Sequence, residues 1–330
     1  MRMRLLAIAV MMLLATGAFA QSAPKSACDR ECLEDYLDQY LDAMLAKDPN
    51  LELFTGDCIF TENGVRLPLG GEGLWYSMSG KGTYKFYVPD IETRQIAFIG
   101  TVREGGGLPQ ATTGESAPGA TPSEGTLAAV AIRLKIDDNG KISEAEQLVI
   151  RPETSLFEEE ETTSSPFPPT GEAVEKMGAP HEIFTEVIPE NERMPREELV
   201  KVADYYFEGL QRNDTKGYYP FTDDCVRYEN GMLSTTECKK QFESGALLNI
   251  VSRIRDRRFV AVDRERGIAF AFGFFDHHSI NWTWQLAELF RIEKGEIRRI
   301  EAVFHRCPFG MNSGWSTYKQ GMSEEIQSVR

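Results

Sequence analysis

The sequence predicts an α+β protein of two tandem domains, in each of which helices pack on a curved antiparallel sheet. Its 330 residues exceed the usual size of one domain. The two halves repeat the same short motifs in the same order, and each half passes from helical to strand-like periodicity. We divide the chain into a signal peptide at 1–20, a first domain at 28–151, a linker at 152–194, a second domain at 195–315 and a polar tail at 316–330.

The internal repeat is clearest in one short block. Residues 57–64 and 224–231 share Asp, Cys, Glu, Asn and Gly at identical spacing. Three further blocks keep the same order along each half, namely 40–44 with 206–210, 95–98 with 267–270, and 141–146 with 296–301. Four blocks in one order indicate a duplicated domain.

Each copy begins with a helix and continues as strands. Apolar residues keep helical spacing from Leu33 to Met44 and from Leu199 to Leu210. A short strand then ends in Glu-Asn-Gly, and Asn-Gly favours a tight turn because both residues tolerate positive φ. Turn residues separate the later strands and predict a meander, which in the second copy covers 250–262, 268–276, 283–292 and 297–305.

The segment between the copies has the composition of a linker. Residues 152–194 are acidic and rich in Pro, Ser and Thr, although Phe167 or Phe184 would suit docking on a domain. A second irregular stretch, from Gly105 to Gly125, interrupts the first copy.

The first twenty residues have the features of a secretory signal. Arg2 and Arg4 precede an apolar run at 5–14, and Ala18-Phe19-Ala20 forms a cleavage site that would leave Gln21 at the N-terminus. The alternative is an uncleaved membrane anchor, for which the apolar run is short. We therefore expect an exported protein, periplasmic or secreted, that does not associate with the membrane after cleavage.

Cysteine usage agrees with export. Six cysteines follow the predicted cleavage site, and an oxidising compartment permits disulfides. We expect structural disulfides with Cys28–Cys32 and Cys225–Cys238 as the favoured pairs, and buried free thiols are the alternative. No Cys-x-x-Cys or His-x-x-x-His spacing occurs, so the sequence predicts no metal site.

The charge of the chain excludes one class of partner. A formal net charge of −15 repels phosphate backbones, so we expect no nucleic-acid partner. A hydrophobic content of 42% is enough for packed cores.

The order of elements resembles the nuclear-transport-factor-2-like, or SnoaL-like, superfamily, whose bent sheet closes a cone. The blocks at 61–64, 71–75, 255–258 and 262–263 resemble a two-copy family of bacteria and fungi that is largely unassigned in function. This resemblance covers most of residues 28–310. It implies cone-shaped domains with apolar pockets and, because the superfamily often pairs through its sheets, an intramolecular pseudo-dimer that leaves room for further homo-oligomers. Superfamily members include isomerases and lyases that need no cofactor, and one branch cleaves formaldehyde from lignin-derived aromatic dimers.

Histidine is distributed unequally between the copies. The first copy has none, whereas the second has His277, His278 and His305 at the ends of strands. Histidine gives and takes a proton near neutral pH without a metal or an organic cofactor. Our candidate catalytic residues are therefore His305 and His277, with Asp276 to orient a histidine and Tyr228 to donate to a developing oxyanion.

The candidate substrate-binding residues surround these positions. They are Arg255, Arg258, Glu229, His278 and Trp284. Each has a structural alternative. Adjacent histidines in a strand point to opposite faces, so only one of the pair enters a pocket. His305 would suit the rim of the domain, the arginines would pair with nearby aspartates, and Trp284 would suit the core. Glu229 has a counterpart in Glu62, which favours a structural role for both.

These observations predict a lyase or isomerase that acts by general acid–base catalysis. Its substrate would be a small hydrophobic, aromatic molecule, and its cofactor requirement none, since the sequence has no phosphate-binding glycine loop, no dinucleotide motif and no Gly-x-Ser-x-Gly. The alternatives are a carrier that binds such a molecule without changing it, and an interaction module without a filled pocket.

Overall fold

A computed structural model describes residues 28–105, 124–152, 169–248 and 250–328. The first domain contains α1 (Arg30–Ala46), β1 (Phe54–Glu62), β2 (Val65–Arg66), α2 (Leu74–Ser77), β3 (Met78–Asp90), β4 (Gln95–Glu104), β5 (Thr126–Ile136) and β6 (Ile142–Ile150). After α3 (Thr170–Lys176), the second domain contains α4 (Arg196–Arg212), β7 (Phe221–Glu229), β8 (Met232–Thr235), α5 (Cys238–Glu243), β9 (Arg253–Asp263), β10 (Ile268–His277), β11 (Trp282–Glu293) and β12 (Glu296–Pro308), and α6 (Tyr318–Gly321) follows.

The long helix that opens each domain forms where the apolar spacing predicts it. Helix α1 begins after Asp29, whose side chain accepts a hydrogen bond from the backbone N–H of Cys32 at 3.0 Å. It ends at Lys47, whose φ of 60° is left-handed and stops the helix. Helix α4 carries Glu197 and Glu198 in its first turn, where acidic side chains favour the helix dipole.

Each domain contains one six-stranded sheet, and the two sheets have the same strand order. The orders are β2-β1-β6-β5-β4-β3 and β8-β7-β12-β11-β10-β9. Identical topology agrees with a duplicated domain. One expectation is corrected, because β1 pairs with β6, and β7 with β12, in parallel. The meander brings its last strand beside the first in the same direction, so the sheets are mixed rather than antiparallel throughout.

One face of each sheet is covered by the helices of its own domain. In the first domain, α1 packs Leu33, Leu37 and Tyr40 onto a core that also holds Trp75 of α2. In the second, α4 packs Leu199, Tyr206 and Phe207 onto the sheet. Apolar side chains on alternate strand positions supply the other half of each core.

The opposite faces of the two sheets pack against each other. A shared apolar cluster joins the domains and includes Phe86, Ile99, Leu148, Phe270, Phe272 and Leu289. Buried charges lie beside this cluster. Both terminal nitrogens of Arg258 donate to the carboxylate of Glu146, at 2.8 and 2.6 Å, so the two domains also share a bidentate ion pair.

The described part of the predicted linker is folded rather than extended. Residues 169–194 form α3 and two single turns of 3-10 helix. Phe184 is buried in the shared cluster with its ring centroid 4.7 Å from that of Phe86. Glu175 of α3 accepts hydrogen bonds from the backbone N–H groups of Thr83 and Tyr84. The other docking candidate, Phe167, lies outside the described residues.

The chain after β12 contacts both domains. The indole N–H of Trp315 donates to the Thr61 hydroxyl of the first domain at 2.7 Å, and Arg133 lies over the Trp315 ring at 4.5 Å. Further along, Ile326 forms a parallel bridge with Arg257 of the edge strand β9. Residues 309–326, which include most of the predicted polar tail at 316–330, therefore form a strap across the molecule.

Two disulfides join the predicted cysteine pairs, Cys28–Cys32 and Cys225–Cys238. Cys58 and Cys307 are free thiols. The disulfides are compatible with an extracellular protein. The predicted signal peptide, and residues 106–123 of the irregular stretch in the first copy, lie outside the described residues. Within the described parts of the chain, none of the helices has the length and apolar character of a membrane span.

Candidate functional site

The second domain encloses a cavity of about 280 Å³ between its helices and its sheet. Strand alternation sets its wall, because every second side chain of a strand faces the same way. From β11 it receives Trp284, Leu286 and Glu288, and from β12 Ala302 and Phe304. The wall is largely apolar and aromatic.

A polar group lies at one part of this wall. Strand β7 directs Arg227 and Glu229 into the cavity, and the guanidinium Nε of Arg227 lies 3.0 Å from a carboxylate oxygen of Glu229. Tyr206 of α4 lines the same cavity as Glu288 and Arg227. Glu288 and Arg227 are only 2% and 4% exposed, so both are withdrawn from water.

This polar group is incompletely paired. Oε2 of Glu288, Nη1 of Arg227 and Oε1 of Gln241 are buried without a hydrogen-bond partner in the described part of the protein. All three side chains line the cavity. Buried polar atoms are almost always hydrogen-bonded, and an unpaired one is costly. Three unpaired atoms around one cavity indicate a place where a polar ligand atom would be favourably bound.

Burial changes the protonation of Glu288. Removal from water raises the pKa of its carboxyl to about 8, and the negative charge of Glu229 acts in the same direction. The positive charge of Arg227 and the nearby Tyr206 hydroxyl oppose this rise only in part. Burial also raises the pKa of Tyr206 well above its ordinary value. At neutral pH the cavity therefore contains a protonated carboxyl beside a guanidinium cation.

The first domain has buried apolar residues at the positions that correspond to Glu288 and Arg227. Glu62 lies opposite Gln147, and Glu229 lies opposite Ala302, so these strand registers align the two copies. Ile132 lies opposite Gln147, and Glu288 lies opposite Ala302, so Ile132 corresponds to Glu288. By the same alignment Phe60 corresponds to Arg227.

Three polar side chains inside the first domain are hydrogen-bonded to one another. The Tyr40 hydroxyl donates to Gln147 at 2.9 Å, and Gln147 donates to Glu62 at 2.8 Å. The Trp75 ring packs on Tyr40 with centroids 5.5 Å apart, and its indole N–H donates to the Tyr40 hydroxyl. Ala302 stands in place of Gln147 in the second domain, where it lines the cavity.

Of the catalytic and substrate-binding residues predicted from the sequence, Glu229 and Trp284 line the cavity. His277 lies on the same sheet face beyond them, and its ring contacts Trp284 with centroids 4.4 Å apart. Burial lowers the pKa of His277, so this imidazole is neutral at neutral pH. His277 is thus a neighbour of the aromatic wall.

The other two histidines lie elsewhere. His305 follows Phe304, which faces the cavity, so the His305 ring points to the opposite side and lies 3.3 Å from the Gln285 carboxamide. Burial, with the nearby charge of Arg151, lowers the pKa of His305 to about 4. His278 is exposed and contacts the ring of Phe309.

Asp276 and Arg255 pair with each other on the face away from the cavity. The Arg255 Nε donates to Asp276 at 2.8 Å, and the Thr283 hydroxyl donates to the same carboxylate at 2.7 Å. Burial of Asp276 opposes ionisation, but these hydrogen bonds and that from Arg253 outweigh it and lower the pKa of Asp276. Asp276 is therefore an ionised structural group that contacts no histidine ring nitrogen.

Tyr228 and Arg258 also point away from the cavity. Tyr228 lies between Arg227 and Glu229, which point inward, and its ring is covered by the Arg299 guanidinium at 4.6 Å. Arg258 joins the domains through Glu146. The structure therefore does not bring His305, His277, Asp276 and Tyr228 together around one ligand position.

Glu288 and Arg227 are the functional candidates that the sequence reasoning missed. Two signals point to them. Arg227 stands opposite Phe60 in the repeated block, and Glu288 interrupts the apolar run from Leu286 to Phe290. In a duplicated chain, positions that serve only the structure are expected to have the same kind of residue in both copies. A charged residue in one copy at a position that is apolar in the other therefore points to a function.

Comparisons with known proteins add little about activity. Residues 192–304, about a third of the chain, match a family model described as a domain of unknown function (DUF8021). No curated protein matches the chain. The matched segment coincides with most of the second copy.

Three solved structures show weak similarity, each with a TM-score of 0.27. A de novo designed protein with a curved β-sheet is 18% identical, over 34% of this chain and 88% of its own. An LEH-like epoxide hydrolase from M. tuberculosis is 13% identical, over 33% of this chain and 84% of its own. A putative hydroxylase from Streptomyces galilaeus is 13% identical, over 37% and 80%. Similarity at this level carries no argument about activity.

Proposed function

We propose that the second domain is a cone-shaped SnoaL-like domain that binds a compact hydrophobic, aromatic molecule and transfers a proton to or from it. The protein would be an exported lyase or isomerase that works with its own acid and base groups. The observation that carries this proposal is the buried carboxyl of Glu288, which faces the cavity with one unpaired oxygen.

The cavity supports binding of an apolar ligand. Phe275, Trp284 and Phe304 present aromatic surface to it. Its volume of about 280 Å³ lies near the lower end of the range of about 300–1,000 Å³ that is usual for small-molecule pockets. A compact molecule therefore suits the cavity better than a large one.

The polar end supports proton transfer. Below a pH of about 8, Glu288 holds a proton that it would donate to a ligand oxygen, and Arg227 would stabilise negative charge on that oxygen. A carboxyl whose pKa lies near the working pH also takes a proton back readily. Both steps use groups that line the same cavity.

The first domain supports the assignment by contrast. It keeps the scaffold but has Ile132 and Phe60 where the second has Glu288 and Arg227. We infer that the first domain serves structure and the second serves the ligand.

The test is a turnover screen of hydroxylated one- and two-ring aromatic compounds, including those that would release an aldehyde. For a substrate found in this way, Glu288→Gln is expected to lower kcat about 100-fold or more, which is the usual contribution of a general acid–base group. His305→Ala is the control, because its ring lies on the other sheet face, and turnover should be retained.

Loss of turnover in His305→Ala with retention in Glu288→Gln would overturn the proposal. Native mass spectrometry of the purified protein separates catalysis from carriage. A stoichiometric ligand that remains unchanged after incubation would favour the carrier, which the apolar wall also suits.

A further inference from the structure

Helix α5 forms part of the cavity wall, and its attachment to the sheet is covalent. Gln241 of α5 lines the cavity, and Phe242 packs on Tyr206 with ring centroids 5.5 Å apart. The helix has no side-chain cap at its N-terminus. Its first residue, Cys238, is bonded to Cys225 of β7, and both are buried. The disulfide thus fixes α5 to the strand that carries Arg227.

The first domain fixes its corresponding helix differently. A carboxylate oxygen of Glu62 accepts a hydrogen bond from the backbone N–H of Leu74, the first residue of α2, at 2.7 Å. Gly73 allows this close approach, because a Cβ there would lie 2.3 Å from the same oxygen. Cys58, which corresponds to Cys225 in the repeat, is a free thiol.

Glu229 is the counterpart of Glu62 but has another role. Both end the first strand of their sheet at the same register position. Glu229 lines the cavity and pairs with Arg227, and no hydrogen bond among the described residues joins it to α5. The carboxylate that anchors a helix in one copy is therefore available to the cavity in the other.

We propose that the Cys225–Cys238 disulfide replaces the carboxylate anchor of the first domain and thereby leaves Glu229 free to contact the ligand. The disulfide is then a positioning element of the site, and a ligand-competent cavity forms only under oxidising conditions. The ligand part of this inference rests on the proposed function, whereas the exchange of anchors does not.

The exchange of anchors is tested by a matched pair of variants without any ligand. Glu62→Gln should speed hydrogen exchange of the backbone amides of α2, because the Leu74 N–H loses a charged acceptor. Glu229→Gln removes the ion pair with Arg227 but should leave hydrogen exchange of the α5 amides unchanged. An increase in α5 exchange in Glu229→Gln as large as that of α2 in Glu62→Gln would overturn the proposal.

The positioning role is tested by removing the disulfide. Cys225→Ser/Cys238→Ser is compared with Cys28→Ser/Cys32→Ser, which removes the other disulfide at the start of α1. The probe is 2-naphthol, a neutral two-ring phenol, with its affinity measured by calorimetry. The second readout is the titration midpoint of the Glu288 carboxyl, followed by ¹³C NMR and assigned with Glu288→Gln.

Loss of the Cys225–Cys238 disulfide should weaken 2-naphthol binding by about tenfold or more. The titration midpoint should move from about 8 towards the ordinary 4.5, because water reaches a carboxyl whose helix has detached. The Cys28→Ser/Cys32→Ser control should change neither readout.

If the Cys225→Ser/Cys238→Ser protein folds and keeps both its affinity for 2-naphthol and its titration midpoint, the positioning role is overturned. If this protein does not fold, the comparison of Glu62→Gln with Glu229→Gln still tests the exchange of anchors. Failure of the wild type to bind 2-naphthol or any other compound in the screen would count against the proposed function alone.

Discussion

Replacing Glu288 by glutamine should change how the stability of the protein depends on pH. The carboxyl has a pKa of about 8 in the folded protein and an ordinary value of 4.5. Between these values the folded state holds a proton that the unfolded state has released. Since stability rises with pH only where the unfolded state binds more protons, the Glu288 contribution must fall as pH rises, and it levels off above pH 8.

The magnitude follows from the two pKa values. One pKa unit corresponds to about 1.4 kcal/mol. Between pH 6 and pH 9 the wild type should therefore lose about 3 kcal/mol of stability through Glu288 alone. Glutamine keeps the shape of the side chain and does not titrate, so Glu288→Gln should lack this loss. The remaining groups titrate alike in both proteins and cancel in the difference.

The assay is urea unfolding of both proteins at intervals of pH from 6 to 9. The free energy of unfolding of the variant relative to the wild type should increase steadily up to pH 8 and then become constant. A difference that stays flat across this range would refute the reasoning, because it would show that Glu288 ionises normally in the folded protein.

Three further outcomes are expected. Ala302→Gln introduces the side chain that Gln147 provides in the first domain, and it should fill the cavity, weakening 2-naphthol binding about tenfold or more in calorimetry with little loss of stability. Arg258→Met leaves Arg133 as the remaining cationic partner of the buried Glu146 carboxylate. The free energy of unfolding measured in urea should fall by about 3–5 kcal/mol, and by less to the extent that Arg133 compensates. Trp315→Ala removes a hydrogen bond and a cation–π contact between the strap and the first domain, and should lower that free energy by about 1–3 kcal/mol.

Features that depend on local periodicity and on repetition could be predicted from the sequence. The helices at Arg30–Ala46 and Arg196–Arg212 follow from apolar spacing, and the two disulfide pairs follow from cysteines that lie close in sequence. The parallel pairing of β7 with β12 could not be predicted in this way, since it depends on how the whole meander returns to the first strand.

The site was harder to predict than the fold. Histidine at a strand end suggests proton transfer, but the face that a strand residue occupies is fixed by the register of the sheet. One step along β12 separates Phe304 in the cavity from His305 outside it. The raised pKa of Glu288 depends on burial by residues from several elements that are distant in sequence, and composition contains no measure of that burial.

The face that joins the two sheets has a consequence for the stability of the domain that contains the cavity. Buried polar atoms without hydrogen-bond partners, such as Oε2 of Glu288, reduce the stability of a domain, and a lone domain with such a core would have little to spare. Here the second domain shares an apolar face and the Arg258–Glu146 pair with a copy in which Tyr40, Gln147 and Glu62 are hydrogen-bonded to one another. The first domain therefore stabilises the domain that contains the cavity, and we expect substitutions that destabilise the first domain to disturb the cavity without contacting it.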